Sequence, residues 1–288
     1  MTRELRWDGM RVDIPDGLEP AVLDRGFVRL VPDQRAPRGG NAERPHAPEA
    51  GLELRCGPAK SGFSPDRDGR RLLRACGVEG SLTPFCPAWG AGREMWAGPD
   101  ESPRLFVSLF DDGVVAALFP SPPGPELLRT VLCPLDWTPP DAWRQWLCYD
   151  LSFETPPGAA LTAASFRPGA FRLEFRQGGT TLTFERLAPA DVLLNGEALD
   201  GWLRRYTLRE HGSDMAITPL GPSEARFERP MPPWRRALPW LPAGPERLHG
   251  MVRLTTNRLL VLTERGRPIP QPDFERIYAS HCASTIQG

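Results

Sequence analysis

A chain of 288 residues, 40% hydrophobic and 25% charged with a net charge of −1, has material for one large domain or two ordinary ones. It can bury a core without disulfide or metal staples. The near-zero charge excludes bulk attraction to nucleic acid or anionic lipid, so neither is expected as a partner.

The N-terminus, MTRELRWDGMRVDIPDG, lacks the apolar run of about 7–15 residues that a signal peptide needs. The most apolar stretch, Val114–Phe119, is far short of the roughly 20 residues of a membrane span. A soluble, cytoplasmic protein with no membrane span is therefore expected. Residues 5–15 alternate, with Met10, Val12 and Ile14 on one parity, and read as a strand ending at Pro15 and turning at Asp16-Gly17. GFVRLV (26–31) and GLELRC (51–56) read as the next two strands. Between them, residues 32–50 are rich in Pro, Arg and Gly without an apolar period, and read as a long surface loop. Residues 66–76 predict a short helix with Asp66 or Asp68 near its start. After an irregular Gly/Pro/Trp stretch, 104–110 and 113–119 form a hairpin closed at Asp111-Asp112-Gly113, residue types that tolerate positive φ. PELLRTVLC (125–133) then reads as a helix with Pro125 in its first turn.

The second half repeats this order. WLCYDLSFETPPG (146–158) alternates like the opening strand and ends in the same Pro and Gly. GAFRLEF (169–175) keeps the Gly, Arg and Leu of GFVRLV, placing Arg172 on Arg29. TTLTFER (180–186) is the third strand, reached through Gly178-Gly179; PADVLLNGEALDGWLRRY (189–206) is helical. Residues 207–248 are irregular, 251–264 form a hairpin and 272–282 a last helix. In the two hairpins Val107 falls on Val252, Leu109 on Leu254 and Asp112 on Asn257. The expected fold class is α+β, with two related halves, 1–140 and 141–288, each a mainly antiparallel sheet with helices packed on one face.

Recognisable chemistry is scarce. The chain has no HExxH, no CxxC, no phosphate-binding glycine loop between strand and helix and no GxSxG elbow. No cofactor and no metal are expected. The six cysteines read as buried reduced thiols, given a chain without an export signal. His281-Cys282 are adjacent, so on a helix they point about 100° apart and do not make a nucleophile–base pair. His46 falls in the loose loop and His211 in the polar turn REHGSD. A paired carboxylate is sought near His249 or His281, whereas Glu174 alternates with Leu173 and Phe175 and is expected to face solvent. Lys60 is the only lysine; the scattered arginines fit the coding bias of a GC-rich bacterial genome better than selective anion chemistry.

The stretch singled out is 226–249, RFERPMPPWRRALPWLPAGPERLH. Trp and Arg are enriched at interaction hot spots and Pro stiffens a loop, so Trp234, Arg235, Arg236 and Trp240 are candidate partner-binding residues, for an unidentified protein partner or a second copy of the chain. The competing account is that these tryptophans seal a sheet. The expected function is a non-catalytic interaction or small-ligand-binding module with an internal duplication. The alternative is a hydrolase or transferase whose site is assembled between the two halves.

Overall fold

The computed structural model describes residues 2–33, 51–59, 64, 66–89, 92–101, 103–212, 215–229 and 247–283. Trp234, Arg235, Arg236 and Trp240, His46 and most of the loop 32–50 lie outside these residues. The chain divides into two compact units, Met1–Tyr149 and Asp150–Gly288.

In unit 1, β1 (Thr2–Trp7) and β2 (Met10–Pro15) form a hairpin turning at Asp8 and Gly9, both at positive φ. The expected single strand over 5–15 is thus corrected to two. A two-residue turn leaves the period of two intact, so alternation alone does not reveal the reversal. β10 (Asp136–Trp137) pairs with β2, and β11 (Arg144–Cys148) with β1. The unit's seven-stranded antiparallel sheet has the order β3-β4-β5-β9-β8-β7-β6. Its strands are β3 (Leu18–Asp24), β4 (Phe27–Pro32), β5 (Leu52–Pro58), β6 (Thr83–Pro84), β7 (Met95–Ala97), β8 (Leu105–Phe110) and β9 (Gly113–Leu118). Helix α1 (Arg67–Ala75) separates β5 from β6, and α2 (Pro125–Leu132) follows β9. Leu73 of α1 packs with Leu82, Leu105, Val107 and Ala116.

In unit 2, β12 (Leu151–Thr155) pairs with β20 (Cys282–Ala283). The run expected as one strand over 146–158 ends its first part at Tyr149, whose φ is 51°. A second seven-stranded antiparallel sheet has the order β13-β14-β15-β19-β18-β17-β16. Its strands are β13 (Ala160–Arg167), β14 (Ala170–Gln177), β15 (Thr180–Leu187), β16 (Ala216–Gly221), β17 (Glu224–Glu228), β18 (Arg247–Thr255) and β19 (Arg258–Gly266). The helix expected over 189–206 is two, α3 (Ala190–Leu194) and α4 (Leu199–His211). They are split by Asn195 and Gly196, both at positive φ, which a continuing right-handed helix does not admit. Helix α5 (Gln271–Ser280) follows β19.

The two seven-stranded sheets share one strand order. In each, the first three strands run side by side, the chain passes through helix, and the last four return so that the seventh lies against the third.

The α+β class is overturned. Among the described residues the chain is mostly β, 49% strand and 19% helix, with three large antiparallel sheets and five short helices. The error has a physical source. β3 contains Pro20, and β16 contains Pro219 and is largely exposed, so neither shows the buried alternation of a central strand. Both are edge strands, where a missing N–H and weak burial are tolerated.

The sheet of unit 2 has two distinct faces. Leu173 and Phe175 of β14, Leu182 and Phe184 of β15 and Leu260 and Leu262 of β19 are all buried on one of them. Phe153 of β12 stacks on Phe184 with centroids 4.0 Å apart and meets Phe175 edge-on at 5.7 Å. On the opposite face α4 covers one end: Trp202, Leu203 and Tyr206 pack with Phe227, Val252, Leu259 and Val261. Beside them Gly250 is sterically required, since a Cβ there would lie 2.3 Å from the Leu262 carbonyl oxygen and 2.4 Å from the Phe227 ring. The other end of that face is polar and open.

Candidate functional site

Strand register builds the polar end as a grid. Across β14, β15 and β19 the facing sets are Arg172–Glu185–Val261, Glu174–Thr183–Thr263 and Arg176–Thr181–Arg265. Because side chains two apart share a face, all three rows point the same way, beneath the last turn of α4. Their polar members, together with Tyr206, Glu210 and His211 of α4, line a cavity of about 460 Å³.

Burial runs in a gradient along the grid. Glu185 and Thr183 are buried, Arg172 and Glu174 half-buried, and Arg176 and Arg265 exposed. At the deep end the Tyr206 hydroxyl donates to Glu185 Oε2, and Arg172 Nη1 lies 3.4 Å from Glu185 Oε1. Arg172 is surrounded by carboxylates. Its Nη2 and Nε donate to Glu174 Oε1 at 2.7 and 3.0 Å, and its Nη1 stands 3.6 Å from Glu210 Oε2. Glu174 is therefore not the solvent-facing carboxylate expected from its alternation with Leu173 and Phe175; it is half-buried on Arg172.

The environment sets the protonation states. Desolvation pushes the Glu185 carboxyl above its ordinary value, with the Tyr206 hydrogen bond and Arg172 opposing. Burial, then the Glu185 carboxylate, raises the Tyr206 phenol. Burial lowers the His211 imidazole despite neighbouring Glu210, so His211 is neutral at pH 7. Its Nε2 is buried without a protein partner at the cavity wall, and its ring stacks on Phe227 at 6.1 Å.

A stability prediction follows from Glu185. Its folded-state affinity for a proton exceeds the unfolded one, so its contribution is greatest below the unfolded pKa and declines as pH rises through the folded pKa. Glu185→Gln keeps an acceptor for Tyr206 and removes the buried charge. Thermal melts at pH 8 should place this variant above the parent by a few degrees, on the scale of about 2–4 °C per kcal/mol. At pH 4 the two should coincide; a variant less stable than the parent at pH 8 would contradict the buried-acid assignment.

Unit 1 carries a reduced counterpart. Arg29 of β4 faces Glu53 of β5, as Arg172 of β14 faces Glu185 of β15, and Glu53 in turn faces Leu118 of β9 as Glu185 faces Val261 of β19. Arg29 and Glu53 are 3.9 Å apart, no tyrosine joins them, and the adjoining cavity is about 190 Å³. Another unit 1 cavity, about 510 Å³, is lined by Asp111, Asp112 and Asp136, exposed residues at turns and at a short strand.

The remaining sequence candidates sit elsewhere. His249 does meet a carboxylate. Its Nδ1 lies 2.8 Å from Glu264 Oε2, at ion-pair distance though without hydrogen-bond geometry, and both side chains are almost fully buried beside Phe274. His281 is buried while Cys282 is exposed, so the adjacent pair diverges. None of the six cysteines is in a disulfide; Cys148 is buried, Cys56 and Cys76 are half-buried, and Cys86, Cys133 and Cys282 are exposed, which corrects the expectation of buried thiols. Among the described residues no group of three or more His, Cys, Asp or Glu is placed to hold a metal, and no helix is long and apolar enough to cross a membrane.

Glu185, Tyr206 and Glu210 were not singled out in the sequence. Arg172 entered only as the arginine that GAFRLEF shares with GFVRLV, a mark of the duplication with no site role assigned to it. No protein-family model matches the chain, and no curated protein matches it. A solved structure described as "Crystal structure of MucB in complex with MucA(peri)" aligns over 96% of this chain and 88% of that one, at 14% identity and a TM-score of 0.23, a likeness too weak to carry an argument about fold or function.

Proposed function

We propose that the protein is a small-ligand-binding module built by internal duplication, with its binding site in the polar cavity of unit 2. The observation that carries this reading is Glu185, a buried carboxyl with a raised pKa at the floor of an open cavity, held by Tyr206 and Arg172. A buried titratable group in a cleft with convergent polar neighbours is the usual mark of a binding or catalytic site. The shared strand order and the paired Arg29–Glu53 and Arg172–Glu185 contacts support the duplication, with the second copy elaborated by α4.

The ligand this cavity suits is small and polar, offering hydrogen-bonding groups to Glu185 and to His211. Thermal shifts against a panel of small polar metabolites test it. At least one compound should raise the melting temperature of the parent chain, with the shift lost in Tyr206→Phe and Glu185→Ala. Compounds that stabilise these variants as much as the parent, or a panel without any stabilising member, would refute the reading.

A further inference from the structure

Independently of the unit 2 cavity, we propose that the exposed face of α1 in unit 1 docks an acidic, extended segment of a protein partner. Arg67, Arg70, Arg71 and Arg74 recur at the i, i+3, i+4 and i+7 positions of α1, and all four are exposed. At 100° per residue they fall within a sector about 100° wide and run about 10 Å along the helix. The opposite side fixes this orientation. Leu73 is buried among Leu82, Leu105, Val107 and Ala116, and Leu72 packs against the same cluster. Gly69 is buried too, and a Cβ there would lie 2.7 Å from Leu82 Cδ1, so the helix is seated closely on that side. The four arginines, together with Asp66, line one open cavity of about 530 Å³.

Charge identifies the partner. Arg67 pairs with Asp68 at 3.1 Å. Among the described residues the side chains of Arg70, Arg71 and Arg74 have neither an ion pair nor a hydrogen bond. Like charges three and four residues apart weaken a helix, so folding alone does not favour four of them on one stripe. Coding bias accounts for arginine in place of lysine, not for one sign of charge along one face. Carboxylates meet guanidinium forks in bidentate pairs, which turns the repulsion into attraction. Arginines one turn apart on the stripe are about 6 Å apart along the axis, and side chains on one side of an extended chain repeat about every 7 Å. The partner is also narrow. Asp66 and Asp68 stand about 100° to either side of the stripe, where a duplex or an anionic bilayer would press phosphates against them. No wider basic surface surrounds it, since residues 1–149 carry 18 Lys and Arg against 21 Asp and Glu. Nucleic-acid binding draws on many phosphate contacts, and insertion in lipid needs an apolar helix face, which α1 has already buried.

The test is fluorescence anisotropy of a labelled octaglutamate peptide titrated with the full chain, at low salt and with added sodium chloride. The parent should bind the peptide, and more weakly as salt rises. Arg70→Gln/Arg71→Gln/Arg74→Gln should weaken binding by about tenfold or more. These side chains are exposed and repel one another, so the melting temperature of the variant should hold or rise. Arg25→Gln/Arg104→Gln/Arg129→Gln removes the same charge from scattered exposed positions and should bind within about twofold of the parent. The proposal is overturned if octaglutamate does not bind the parent, if the α1 variant binds like the parent, or if the scattered variant loses as much as the α1 variant. It is overturned equally if an oligothymidylate or phosphatidylserine vesicles bind the parent more tightly than octaglutamate and lose that binding in the α1 variant, which would assign the stripe to nucleic acid or to membrane.

Discussion

A His281→Leu variant should lose far less stability on acidification than the parent chain. His281 is 1% exposed, packed edge-on against Phe184 at 5.4 Å and Phe153 at 6.3 Å, and neither ring nitrogen has a hydrogen-bond partner. Burial, with the Arg253 cation secondary, lowers its pKa from 6.5 to about 3. The folded state therefore takes up a proton much less readily than the unfolded state. Stability from this group is fully present above pH 6.5 and declines as pH falls toward 3. At 1.36 kcal/mol per unit, the parent should lose roughly 3 kcal/mol through His281 between pH 7 and pH 4. Leucine removes the proton and also two unpaired polar atoms, each costing about 1–3 kcal/mol when buried, so the variant should be at least as stable as the parent at pH 7. Urea denaturation at pH 7, 5 and 4 measures the difference. Parallel pH dependences for variant and parent would rule out the buried neutral imidazole.

The second large effect is in unit 1. Trp7 and Trp146 are fully buried and meet edge-to-face with centroids 5.1 Å apart, and the Trp7 indole N–H donates to the Asp24 carbonyl at 2.7 Å. Trp7 thus ties the β1–β2 hairpin to the end of β3 while filling the space between. Trp7→Ala should destabilise the chain by about 3–5 kcal/mol through the cavity it leaves. Trp7→Phe keeps most of the ring and loses the N–H bond, so it should cost less than Trp7→Ala by at least about 1 kcal/mol. Equal losses in the two variants, measured by chemical denaturation, would show that the hydrogen bond and not the packing carries the effect.

The order of the longer elements was legible because it rests on local chemistry. The Asp-Asp-Gly turn closed β8 onto β9, Gly178-Gly179 closed β14 onto β15, and Pro125 opened α2. The class was not legible. β3 and β16 hold prolines, β16 has little buried surface, and the turns at Asp8-Gly9 and Tyr149 hide inside unbroken alternation. Counting those runs as one strand or as loop shifted the balance from mostly β to α+β.

The candidate site divides the same way. The amino-acid sequence by itself determined that Arg172 sits in a strand motif repeated from Arg29, and that Glu174, Arg176, Thr181, Thr183 and Glu185 alternate with apolar residues along β14 and β15. Period two settles which residues share a face, because it is a property of one strand. It does not settle which face is covered. Only the tertiary structure decided that, by laying α4 across part of the sheet. Tyr206, Glu210 and His211 were thereby set over the polar rows, and Glu185 was withdrawn from water while Arg176 and Arg265 stayed at the surface. A carboxyl's proton affinity depends on what is packed above it, and that comes from residues distant along the chain.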